Sequence, residues 1–251
     1  MKGILSLLAL AVTACTNPPP FGSESSEGQV FAWSENDARH VLSLASAHSD
    51  RIAELLGVEP QPFVIWFERS ELDRAGVRVW RDRSRRITKR RIEFQTDEEE
   101  AQLAFIIAHE LVHWHVAGTV WDMVPLVIEE GMADYIALLL VPEWRAEREQ
   151  LLRGRAREAQ GVDWESLFAI TKGEVDWSKE PDSRRRESTY MLGYAMVDRA
   201  GIDVLQELCY RARNAGLARV PSEWLLESAG MGSSAAEWDA ALRSWGEGVG
   251  H

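Results

Sequence analysis

The sequence predicts an α+β fold: a small N-terminal β-sheet packed on one central helix, followed by a mainly helical C-terminal half. Three observations carry this. The short β-prone runs all lie before residue 95, at 62–67, 77–80 and 91–94. Beyond residue 96, apolar residues recur at the three- and four-residue spacing of helices. With 45% hydrophobic and 27% charged residues in 251, the chain can bury a full core.

Each element has its own signal. Ser34, followed three residues later by Asp37, caps a first helix whose apolar positions Val41, Leu44, Ala45, Ile52, Leu55 and Leu56 run up to Gly57. Pro62 opens the strongest strand candidate, Phe63-Val64-Ile65-Trp66-Phe67. Thr96 and the acids Asp97, Glu98 and Glu99 then start a long helix that ends near Gly118. Further helices are expected over residues 126–140, 143–160, 183–200, 202–214 and 235–245.

A net charge of −12 disfavours nucleic acid as a partner, because proteins that grip phosphates present basic surfaces. One segment runs against that balance: Arg78, Arg81, Arg83, Arg85, Arg86, Lys89, Arg90 and Arg91 face a single acid, Asp82. It reads as a solvated hairpin, or alternatively as a docking surface for anionic groups. At the N-terminus, Lys2 precedes an apolar stretch too short for a confident membrane span and proportioned like a secretory leader. It ends in Val12-Thr13-Ala14-Cys15, which resembles a bacterial lipobox. That resemblance implies a signal peptide over residues 1–14, lipidation at Cys15, and export to a bacterial membrane. A tether over 15–32, rich in Pro, Ser, Gly and Glu, would then carry a domain over 33–251. Cys209 is left as a lone, buried thiol.

The chemistry is concentrated in His109-Glu110-Leu111-Val112-His113, an H-E-x-x-H segment inside a predicted helix. Residues i and i+4 share a helix face, so the two imidazoles can converge on one ion, with Glu110 beside them to meet a metal-bound water. A third ligand is required. Val116 and Thr119 stand where a metzincin would place Gly and His, which excludes that continuation. After sixteen intervening residues, Glu130-Gly131-Met132-Ala133-Asp134 opens the next helix. Glu130 would complete a His2Glu zinc site with one open position, and Glu129 is the alternative ligand. Asp134, four residues on, could accept the free ring N–H of a ligand histidine. His115 points away from the ligand face and is expected at the surface or in aromatic packing.

These residues resemble the gluzincins, the metallopeptidase clan of thermolysin and aminopeptidase N, over roughly positions 96–200. The resemblance implies a thermolysin-like catalytic core, one Zn2+ ion, and hydrolysis of a peptide or protein substrate. It also implies a role for Tyr190, in Tyr190-Met191-Leu192-Gly193, as donor to the developing oxyanion. The exopeptidase segment G-x-M-E-N of the aminopeptidases is absent, so an endopeptidase is expected. Two rivals share the pattern: a hydrolase of another amide, such as a cell-wall crosslink, and a lipoprotein that keeps the fold only for binding or assembly.

Overall fold

The computed structural model describes residues 18–71, 74–81, 87–98, 100–159, 162–169 and 183–248. It has a mixed α/β architecture. Five strands, β1 (Phe21–Glu24), β2 (Gly28–Ala32), β3 (Phe63–Glu68), β4 (Arg74–Arg81) and β5 (Ile87–Gln95), form one sheet in the order β1-β2-β3-β5-β4. The outer pairs β1/β2 and β4/β5 are antiparallel, while β2/β3 and β3/β5 are parallel.

The helix α1 (Glu35–Leu56) makes the crossover between β2 and β3. Its ends are set as the sequence predicts. The Ser34 side chain accepts from the Asp37 N–H at 3.1 Å, and Gly57 closes the helix at φ 61°, where a side chain would be strained. Its buried stripe of Ala38, Val41, Ala45, Ile52 and Leu56 packs on β1, β2 and β3 and on α2 (Glu100–Val116).

The tether expected over 15–32 is corrected across residues 21–32, which are the strands β1 and β2. Gly28 looks like a linker glycine, but β2 lies so close to β3 that a Cβ there would meet the Phe63 carbonyl oxygen at 2.5 Å. The polar Ser25-Ser26-Glu27 turn reads as linker because its neighbour β3 comes more than thirty residues later. The leader, Cys15, and the tip of the basic hairpin over 82–86 lie outside the described residues. Within that hairpin, Arg78 pairs with Glu93 at 2.6 Å and Arg91 stacks 3.5 Å over the Trp66 ring. The Arg90 guanidinium bonds the carbonyls of Trp114 and Ala117 at the end of α2, where the helix dipole favours a cation. These arginines therefore serve the fold.

After α2 the described elements are helices: α3 (Leu126–Leu140), α4 (Arg145–Glu158), α5 (Trp164–Ala169), α6 (Ser183–Ala200), α7 (Ile202–Asn214), α8 (Ser222–Ser228) and α9 (Ala235–Glu247). The helices α5 and α8, six and seven residues long, are too short to show a period in the sequence. Around most of their circumference, α2 and α3 are buried, so they are central helices with a core on several sides. Next to α2 lie α1, α3 and the strands β4 and β5, while α3 lies against α6. Among the described residues no helix is long and apolar enough to cross a membrane.

Candidate metal centre

Polar groups on buried helices must find partners, and those of α2 and α3 find them in one another. His109 and Glu110 are each under a tenth exposed, as are Glu129 and Glu130, and Asp134 is 1% exposed. The one-turn spacing of His109 and His113 brings their Nε2 atoms to 3.2 Å. Glu130 Oε2 closes a triangle with them, at 3.3 Å from His109 Nε2 and 3.5 Å from His113 Nε2.

Each imidazole is oriented by a carboxylate on its other nitrogen. Asp134 Oδ1 lies 2.9 Å from His109 Nδ1, and Glu129 Oε1 lies 2.8 Å from His113 Nδ1. An ionised carboxylate only accepts, so both Nδ1 atoms donate. In the neutral rings both Nε2 atoms then present lone pairs to the same point as the Glu130 oxygen. Two lone pairs and an anion converging at this distance make His109, His113 and Glu130 a buried triad that could hold a metal ion. Glu129, the alternative third ligand, stands instead behind His113.

Compared with known protein families and with curated proteins, the chain matches none.

The electrostatics follow from burial opposed by pairing. Burial alone would push the His109 imidazole down, yet its bonds to Asp134 and Glu130 raise it to about 9. His113 is likewise disfavoured as a cation by burial and nonetheless held well above its ordinary value by Glu130 and Glu129. Asp134 stays below the usual carboxylate range because His109 and Arg148 outweigh its desolvation. Glu110 goes the other way: burial raises it, with the two histidines opposing. Its Oε2 is buried and has no hydrogen-bond partner among the described residues. A carboxylate with a high proton affinity and an unsatisfied oxygen is suited to taking up a proton.

Tyr190, on α6, lies with its ring centroid 6.3 Å from that of His109. Burial, and then the charges of Glu130, Asp134 and Glu110, raise its phenol well above the ordinary value, so it keeps its proton and can donate. Its placement is set by two glycines. A Cβ on Gly131 would stand 1.9 Å from the Gly193 carbonyl carbon, and a Cβ on Gly193 would stand 1.9 Å from the Val127 carbonyl oxygen. Thus α3 and α6 touch backbone to backbone beside the triad. Gly131 and Gly193 are the glycines of the two motifs read from the sequence, and close approach is their physical reason.

Sequence reading missed two features. His115, expected at the surface or in aromatic packing, is fully buried and bonded to Ser49 at 3.0 Å, because α1 covers that face of α2. Arg148, on α4, reaches Asp134 Oδ2 with Nε at 3.1 Å and Nη2 at 2.6 Å. Nothing in the charged run of α4 marks that residue apart from its neighbours.

Proposed function

We propose that the chain is a zinc-dependent metallopeptidase of gluzincin type, acting as an endopeptidase on peptide or protein substrates. It would be exported and held at a bacterial membrane by lipid on Cys15. The observation that carries this reading is the triangle of donor atoms with sides of 3.2, 3.3 and 3.5 Å. Ligands about 2.0–2.1 Å from a tetrahedral zinc ion stand roughly 3.3 Å apart, so the donor set fits zinc in both chemistry and spacing. Three protein ligands leave one position open, which marks a catalytic rather than a structural site.

His109, His113 and Glu130 would hold the ion. When bound, zinc supplies Lewis acidity, lowering the pKa of a coordinated water and polarising a carbonyl. The protein residues do the rest. Glu110 Oε2 takes the proton from the attacking water and returns it to the leaving amine. The Tyr190 hydroxyl donates to the oxygen that gains charge. Asp134 and Glu129 keep the histidines in the tautomer that turns Nε2 inward.

The test pairs metal analysis of the purified chain with the variant Glu110→Gln on casein and on peptide substrates. The parent is expected to carry one zinc per chain and to hydrolyse an internal peptide bond. Glu110→Gln should keep the zinc and lose at least about a hundredfold in rate. A parent with neither zinc nor hydrolysis would identify a binding lipoprotein. Hydrolysis confined to cell-wall crosslinks would reassign the substrate.

A further inference from the structure

We propose that Arg148 is a positioning residue of the metal site, holding Asp134 so that His109 Nε2 stays turned toward the ion, and steadying the Tyr190 ring over the same site. This rests on the zinc reading above. The two Asp134 oxygens have separate partners: Oδ1 meets His109 Nδ1 at 2.9 Å, and Oδ2 meets Arg148 Nε and Nη2 at 3.1 and 2.6 Å. A carboxylate gripped at both oxygens cannot rotate away from the imidazole. The same guanidinium carbon lies 5.5 Å from the Tyr190 ring centroid, within cation–π range. One side chain therefore touches both the support of a ligand and the proposed oxyanion donor.

Charge balance points the same way. Glu110, Glu129, Glu130 and Asp134 are all buried around the site. A dication offsets two negative charges, and Arg148 offsets the charge of Asp134 directly. Without Arg148 the Asp134 carboxylate loses both bonds to Oδ2 and can turn away. Turning removes the acceptor at His109 Nδ1, so nothing then holds the ring with Nε2 toward the ion.

The experiment is a zinc titration of the full-length chain, stripped of metal, against a chromophoric chelator. Cobalt(II) substitution then reports ligand geometry through its visible spectrum. Arg148→Gln is expected to weaken zinc binding about tenfold or more and to change the cobalt bands. Arg148→Lys, which keeps the charge but not the fork, should recover part of the loss. In an Asp134→Asn background, Arg148→Gln should cost little more, because it acts through Asp134. Arg145→Gln, which breaks only the surface pair with Glu149, should leave zinc affinity unchanged. Should Arg148→Gln not fold, Arg148→Lys carries the test alone, with a severalfold loss expected. Parental affinity and spectra in the Arg148 variants, or losses that add to those of Asp134→Asn, would overturn the role of Arg148 while leaving the zinc reading standing. A parent that binds no zinc would overturn both.

Discussion

Three histidines on α2 have three different environments, and their protons make the site testable without a substrate. His109 is raised from 6.5 to about 9 and His115 is lowered from 6.5 to about 4, the latter by burial and then by the charge of Arg90. Between pH 4 and 6.5 the unfolded chain holds more protons at His115 than the folded one, so stability falls as pH drops through that window. The shift corresponds to about 3 kcal/mol when complete. Between pH 6.5 and 9 the metal-free folded chain holds more protons at His109, so stability falls as pH rises. Urea unfolding of the chelator-treated protein across pH is expected to show both limbs. Saturating zinc should abolish the alkaline limb, because the imidazoles it holds are already deprotonated. The acid limb should persist and steepen, because His109 and His113 then join His115 in holding fewer protons folded than unfolded. An alkaline limb that survives zinc would assign that proton to some other group.

At the scale of elements, the contact of α3 with α6 sets how accurately Glu130 meets the histidines. Alanine at Gly193 would put a methyl 1.9 Å from the Val127 carbonyl oxygen and force the helices apart. Gly193→Ala is expected to cost about 1–3 kcal/mol in denaturant unfolding and to weaken zinc binding as well, because α3 shifts with its ligand. Gly154 is the contrasting case. It lies within α4, and a Cβ there would come no nearer than 3.7 Å to Arg157 Nη2. Gly154→Ala should therefore stabilise the chain, by up to about 1 kcal/mol, with zinc affinity unchanged. A Gly193→Ala variant as stable as the parent would show that the two helices can separate without loss. The two glycine motifs could be read from the sequence as motifs, but their cause could not, because it lies between residues more than sixty positions apart. The helix α1, announced by cap and period, and α3, announced by its apolar pattern, were legible to within a residue of their ends, because those signals are local. The strands β1 and β2 were not, because the polar Ser25-Ser26-Glu27 turn and Gly28 read as linker until β3 is laid beside β2. Arg148 was hidden for the same reason, as its meaning depends on where α4 is laid across the core.

For the whole molecule, the question is whether the proposed metal would build the fold or only occupy it. One continuous apolar cluster runs from Val30 and Ala32 in β2 through α1, α2, α3 and α6 to Leu242 and Trp245 in α9. The metal-free site also has its own pairings, since His109 and His113 meet Asp134, Glu129 and Glu130 directly. A chain with such a core, and with its site histidines already paired, does not need the ion in order to fold, unlike small zinc modules that are unfolded without it. Binding then contributes by mass action alone, about 4 kcal/mol at a thousandfold excess of free zinc over its dissociation constant. At this size each kcal/mol moves the melting temperature by roughly 2–4 °C. Thermal unfolding followed by circular dichroism is therefore expected to stay cooperative in chelator. Its midpoint should lie about 8–16 °C below that of the zinc-saturated chain and climb with the logarithm of free zinc. Loss of the cooperative transition in chelator would make the ion a structural element that joins α2 to α3. A midpoint that ignores zinc altogether would mean that the triangle of His109, His113 and Glu130 holds only protons.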